Sequence, residues 1–419
     1  MHAKHPKLVG AAGGRPGSSH RVGPTSAAFW VVLALLVTPL SSSAESWCAY
    51  PIWAHEWGVQ VFGEAPNAPE KLSSAHTPTD ATEASTTPSV RNLPIDGGER
   101  DLPVLAFYAP TGWSDPIPLG LEVGFSAGAA SRWYPQVDTR VDAVTANSDD
   151  AKAKREALLA ARAARRPFGT TNDPLGADPT RQLLWEHLNL SAKGAASALT
   201  SQSWVEAQRQ LDGALWVSRG AESERFAFYE GKTDERPLVQ VERGEGWTEQ
   251  QPRYLLKNQS EWPVHDVLVV RRHGTEAWVF YAPSLDPGSE AKFSFDEAMD
   301  AGSDAFRKAT RGRLSDTLVD AETPTPPKEY RWGGSECVEG RDPAKPVETA
   351  SGHQLYQAEV DLLLDTWGPA LFEHEGTVVI YREDVATLDA LMPLSLYTDM
   401  FHFIDLRRTG LVLWTDATW

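Results

Sequence analysis

Val267-Leu268-Val269-Val270-Arg271-Arg272 and, four polar and turn residues later, Ala277-Trp278-Val279-Phe280-Tyr281 decide the fold class of this 419-residue chain. Both runs are short and rich in β-branched and aromatic side chains, the types that fit a pleated, half-buried surface. Moving outward, residues 214–218, 226–229, 238–242, 254–257 and 291–295 repeat the pattern at roughly even spacing. Asp286-Pro287-Gly288-Ser289 supplies a turn before the last of them. Many short, evenly spaced strands predict a β-sandwich-like unit.

Toward the N-terminus, residues 53–63 open with aromatic residues and end in β-branched alternation, and read as a first strand. Residues 102–109, 119–125 and 131–135 are further short strands between Pro and Gly. Residues 184–190 alternate, with Leu184, Leu188 and Leu190 on one side and Trp185, His187 and Asn189 on the other. Residues 64–95 hold Pro, Ser, Thr, Ala and Glu with almost no large apolar residue, and are expected to form a disordered loop. Residues 149–166 predict a solvated helix, and 297–320 a second helical stretch.

Near the C-terminus the period changes. Tyr356, Val360, Leu363, Leu364, Trp367 and Leu371 lie on one face of an amphipathic helix that Gly368-Pro369 is expected to kink or end. Strands are expected at 377–381, 401–406 and 410–414, with a short helix at 385–391. The fold class is therefore α+β, predominantly β. The expected division is a signal peptide (1–44), a β-rich domain (45–195), a β-sandwich-like domain (196–321), an irregular Pro/Gly-rich connector (322–350) and a C-terminal α+β region (351–419).

The signal reading rests on Lys4, Lys7, Arg15 and Arg21, an apolar run from Ala27 to Leu40, and small residues ending at Ala44 before Glu45. It predicts a periplasmic or extracellular product with no stable membrane insertion once the signal is removed. Cleavage takes four of the 39 basic residues and none of the 57 acidic ones, deepening the formal charge from −18 to −22. Such a surface repels phosphate backbones and argues against nucleic acid as a partner. An exported chain with two cysteines, Cys48 and Cys337, points to a disulfide between them.

Three histidine–carboxylate clusters are the candidates for chemistry: His55 with Glu56, Glu186 with His187, and Glu373 with His374 and Glu375. Imidazole and carboxylate serve acid–base steps and bind divalent metals, so His55, Glu56, Glu373, His374 and Glu375 are candidate catalytic residues. His55, His374 and Glu375 are the candidate metal ligands; no cofactor is evident in the sequence beyond the divalent metal that these residue types could bind. Adjacent residues on a strand point to opposite sides, so one member of each pair at most can face a common pocket. A structural reading stands beside the catalytic one: Trp57 as a buried indole, Gly58 where backbones approach, Gly376 as a left-handed helix end. There is no G-x-S-x-G, phosphate loop or dinucleotide fingerprint. Among the 16 tryptophans, Trp113, Trp247 and Trp262 sit in expected loops, where a sugar-binding platform would be.

Several landmarks occur in order: His55-Glu56-Trp57-Gly58, Phe107-Tyr108, Trp133-Tyr134-Pro135, Phe228-Tyr229-Glu230-Gly231, and the run from Tyr356 through Glu359, Trp367 and Phe372 to Gly376. Together they resemble a family of large exported bacterial proteins that carries no assigned activity. The resemblance implies export and architecture, and no mechanism. Glu373-His374-Glu375 departs from the family's two consecutive acids, and Gly368-Pro369-Ala370 from its continuing helix. The leading expectation is an extracytoplasmic binding or structural protein, with an envelope protein or glycan as partner. The alternative is an extracytoplasmic, metal-assisted hydrolase; a third reading has the clusters join the N-terminal strand to the C-terminal helix as a buried polar network.

Overall fold

Strand-forming sequence takes up most of the structure, a computed structural model that describes residues 50–78, 98–109, 116–125, 128–141, 182–197, 199, 202–233, 235–248, 253–295, 297–327, 352–398 and 402–415. The signal segment with Ala44 and Glu45, both cysteines, Trp113, the helix expected at 149–166 and most of the connector lie outside the described residues.

β1 (Tyr50–Phe62) is followed by β2 (Glu99–Tyr108), β3 (Ile117–Gly124), β4 (Ala129–Tyr134), β5 (Thr139–Val141) and β6 (Gln182–Ser191). After α1 (Ser203–Arg209) come β7 (Trp216–Arg219), β8 (Glu222–Glu224), β9 (Ala227–Lys232), β10 (Val239–Arg243), β11 (Arg253–Asn258), β12 (Val264–His273), β13 (Glu276–Leu285), β14 (Glu290–Ser294) and β15 (Met299–Asp300). A π turn at Lys308–Gly312 joins α2 (Asp304–Arg307) to α3 (Arg313–Leu318). α4 (Gln357–Phe372), β16 (Gly376–Glu383), α5 (Val385–Leu391), β17 (Leu394–Thr398) and β18 (His402–Trp414) follow.

A nine-stranded sheet in the order β15-β13-β12-β16-β18-β1-β2-β9-β4 forms the middle layer. β1 lies between β18, to which it is parallel from Tyr50↔His402 to Phe62↔Trp414, and β2, to which it is antiparallel. Helices cover one face: Trp204, Phe306, Leu314, Val360, Leu363, Trp367 and Leu371 pack on Trp57, Val59, Val104, Leu268 and Leu411. Two smaller sheets cover the other. Ile52, Ala54 and Phe107 meet Leu121, Leu183, Trp185 and Leu396 from the sheet β17-β3-β6-β7-β8, while Val269, Val379 and Val412 meet Val241, Leu256 and Phe293 from β10-β11-β14. Both faces of the middle sheet are thus covered at β1, which is why that strand is buried on both sides.

The architecture is α+β and predominantly β, with a helix and strands at the C-terminal end. The strands do not keep to the expected domain limits. The 196–321 stretch supplies members to all three sheets, and Ser46–Trp419 is one compact unit. β9 pairs with β2 and β12 with β16, so the stretch shares the core of the middle sheet instead of closing on itself.

Several local expectations are also corrected. Residues 64–78 are ordered: Leu72 and Ala75 are buried, and His76 bridges to Trp133. Trp185 joins Leu188 and Leu190 in the core, because β6 gains a residue between its pairings Leu119↔Leu188 and Leu121↔Trp185, and this bulge shifts the alternation. α4 runs through Gly368-Pro369 to Phe372. Asp365, whose carbonyl Pro369 cannot bond, is exposed, so water can satisfy that carbonyl. The two strands expected at 401–406 and 410–414 are the single strand β18, since Gly410 continues the pairing opposite Gly58.

Candidate functional site

Alternation along β1 sends His55 toward the helices and Glu56 toward the smaller sheets. His55 Nδ1 lies 2.7 Å from Glu359 Oε2. Tyr108 donates its hydroxyl to Glu359 Oε1 at 2.9 Å, and the Tyr356 backbone N–H donates to Oε2 at 3.0 Å. Glu359 occupies the third position of α4, where a carboxylate that reaches back to the preceding N–H satisfies a helix end and meets the positive end of its dipole. The Tyr356 and Tyr108 rings lie 4.5 and 5.5 Å from the imidazole. Burial, and then the charge of Glu359, push the Tyr108 hydroxyl well above its ordinary pKa, so it acts as a fixed donor. His55 is 2% exposed and its Nε2 has no partner among the described residues. Nearby Asp405 is pushed up by burial against the opposing charges of Arg407 and His55.

On the other face, Arg408 grips Glu56 with Nε and with Nη2, the latter at 3.2 Å, and Tyr229 donates its hydroxyl to the same carboxylate. Arg408 also donates to Asp389 and to the Met392 carbonyl, both at 2.9 Å. Burial works against the guanidinium charge, but Glu56, with Tyr229 and Asp389, more than offsets it and holds the pKa above its usual range. Next to this set, Arg100 donates to Glu383 at 2.7 and 2.9 Å and to Glu235 at 2.8 Å. A cavity of about 20 Å³ separates the two sets, lined by Glu56, Gly58, Arg100 and Gly410 among others. A Cβ on Gly410 would come within 2.8 Å of Glu383 and Leu388, the close approach expected of a glycine here.

The remaining candidates lie elsewhere. α4 has 16 residues, so at 1.5 Å per residue Glu373 lies about 20 Å along the axis from Glu359. Glu375 is exposed; it accepts from the Gly274 N–H at 2.9 Å and lies 3.4 Å from His273. Glu373 caps the helix through its N–H to the Pro369 carbonyl, and His374 rests beside Gly376, whose φ of 108° favours glycine. His55, His374 and Glu375 therefore do not share one metal, because the helix holds them at opposite ends. His187 is 75% exposed at the side chain and pairs with Asp138 at 3.2 Å, a solvated rim position.

One polar cluster escaped the sequence reading. Glu99 and Asp101 on β2 and Glu230 on β9 bring their carboxylate oxygens within 4.8 Å of one another. Lys71, from the ordered half of the expected loop, lies 2.5 Å from Glu99 and 3.7 Å from Asp101, and Arg132 donates to Glu230 at 2.9 Å. Burial, followed by the charge of Asp101, raises Glu230 to about 8. Asp101 is raised to about 6, also chiefly by burial, with Lys71 opposing the shift. The Glu99-x-Asp101 spacing on a strand could have shown two acids on one face; Glu230 is brought in only by the pairing of β9 with β2.

A groove of about 550 Å³ lies beside the β10–β11 hairpin, lined by Gly244, Glu245, Gly246, Arg253, Lys292 and Ser294 over Tyr254 and Phe293. Trp247 lies in the same hairpin loop, with the Arg243 guanidinium stacked 4.0 Å from its ring centre. Trp262 is half-buried in a turn that its carbonyl closes with Asn258 and Ser260. No family model matches the chain, and no curated protein matches it. Among the described residues no helix is long and apolar enough to cross a membrane.

Proposed function

We propose that this is an exported binding protein, working in the periplasm or outside the cell, whose ligand lies in the groove beside the β10–β11 hairpin. The observation that supports this reading is the groove itself. Arg253 and Lys292 flank it, both exposed, in a chain of net charge −18. Backbone groups at Gly244 and Gly246 border it without side chains, leaving room for hydrogen bonds to an extended polar ligand. The chemistry fits an acidic glycan of the envelope, with carboxylate or sulfate groups answering the two cations. The test is binding of sulfated and uronate oligosaccharides, with neutral ones as reference, to the chain from residue 45 and to an Arg253→Ala, Lys292→Ala double variant. Preferential acidic binding that weakens at least about tenfold in the variant is the expected outcome. Equal binding by the two proteins would remove the groove from the account.

The hydrolase reading draws on one observation, the His55–Glu359 pair with Nε2 unpartnered, which is how a general base is oriented. It requires substrate to reach a side chain 2% exposed. Ester, amide or phosphate hydrolysis lost in a folded His55→Ala variant would establish it.

A further inference from the structure

We infer that Glu99, Asp101 and Glu230 form a divalent-cation site, of the calcium or manganese class, in which the Lys71 ammonium stands in for the ion. A hard cation with oxygen ligands sits about 2.4 Å from each, so two ligands on opposite sides of one ion are about 4.8 Å apart. The three carboxylates meet that limit, with every pair of ligand oxygens inside 4.8 Å.

Charge clustering alone would say little, because acidic groups gather on many surfaces. Glu230, however, is fully buried, with 0% exposure. Its Oε2 takes the Arg132 hydrogen bond, and its Oε1 meets no donor among the described residues. Asp101 Oδ1 is likewise buried without a donor, with Lys71 3.7 Å away, although the Asp101 and Glu230 carboxyl groups share a side-chain hydrogen bond that holds one proton between them. A buried carboxylate oxygen without a donor is costly unless a cation faces it. Lys71 reaches Glu99 and Arg132 reaches one oxygen of Glu230, which leaves Glu230 Oε1 and Asp101 Oδ1 without a donor.

Lys71 is also built to leave. It lies in the irregular segment between β1 and β2, its side chain 37% exposed, so the ammonium can swing to solvent while Leu72 stays in the core. Replacing one ammonium with a doubly charged ion then offsets all three acids together with Arg132. The donor set is oxygen-only, without imidazole or thiolate, which disfavours zinc and favours calcium or manganese. This site shares no residue with the groove, so its fate and that of the binding proposal are separate.

The experiment is calorimetric titration of the chelator-treated chain from residue 45 with calcium chloride and with manganese chloride, beside Lys71→Gln and Glu230→Gln variants. One ion should bind per chain. Lys71→Gln should bind at least about tenfold more tightly, the scale of removing one like charge from a partly buried site. Glu230→Gln should lose binding while keeping its circular dichroism spectrum. Should that variant fail to fold, Glu99→Gln, altered at a partly exposed carboxylate, takes its place with the same expectation. A folded Lys71→Gln protein that binds neither ion at millimolar concentration would overturn the proposal. So would undiminished binding by the Glu variant.

Discussion

Two groups of buried charge flank β1 and β2, and they are built differently. Around Glu56, the acid has an arginine and a tyrosine, and Arg408 has three acceptors in turn. Around Glu230, three acids crowd together, and Lys71 and Arg132 reach only part of their oxygens. The first arrangement closes on itself and spans 352 residues of sequence, holding β1 to β18. The second leaves Glu230 Oε1 and Asp101 Oδ1 without a donor among the described residues. A closed network belongs to the scaffold; an open one invites a ligand.

That contrast predicts a ranking of effects. Arg408→Met should destabilise most, by roughly 3–5 kcal/mol, because it leaves Glu56 charged and buried without its partner. Chemical denaturation measures this, and a loss under 1 kcal/mol would break the comparison on its closed side. Glu359→Ala should follow at roughly 2–3 kcal/mol, since three donors lose their acceptor while some can find water. The same measurement with Tyr108→Phe should show a smaller loss, as one hydroxyl goes and the carboxylate keeps two donors.

Next in size is a pH effect at His353. Burial first, and then the charge of Arg382, lower its imidazole to about 4. The unfolded chain takes up this proton near pH 6.5 and the folded chain only near 4, so between those values the unfolded state holds more protons. Stability from this group is present above pH 6.5 and is lost as pH falls toward 4. His353→Leu should flatten that part of the stability profile; an unchanged slope would assign it elsewhere. Smallest of all, His374→Ala and His187→Ala should stay within about 0.5 kcal/mol of the parent, because neither belongs to a closed network. A clear drop in melting temperature for His374→Ala would extend the buried network to the far end of α4.

Much of this fold was legible in the residues themselves. The β12–β13 hairpin followed from two apolar runs around Gly274, which takes a φ of 61° at the turn. The helix at 385–391 was expected where α5 forms, with Asp384 capping it by accepting from the Ala386 N–H. Local chemistry decides such features. The face of Trp185 was misread because a bulge in β6 depends on its partner β3, which periodicity cannot show. The sheets cross the expected domain limits for the same reason: the pairing of β1 with β18 is set by burial on both faces, and nothing in either strand names the other. At the site, the opposite orientation of His55 and Glu56 followed from strand geometry. Their partners Glu359 and Arg408 lie 304 and 352 residues away, beyond any spacing rule.

A double-mutant cycle on Glu56 and Arg408, read by denaturant unfolding of Glu56→Gln, Arg408→Met and the pair together, tests most directly whether the closed network is scaffold. The account predicts strongly destabilised single variants and a double variant that loses less than their sum, with a coupling of about 1–3 kcal/mol. Single variants as stable as the parent that nonetheless lose a binding or hydrolytic activity would contradict it, and would return Glu56 to the functional site.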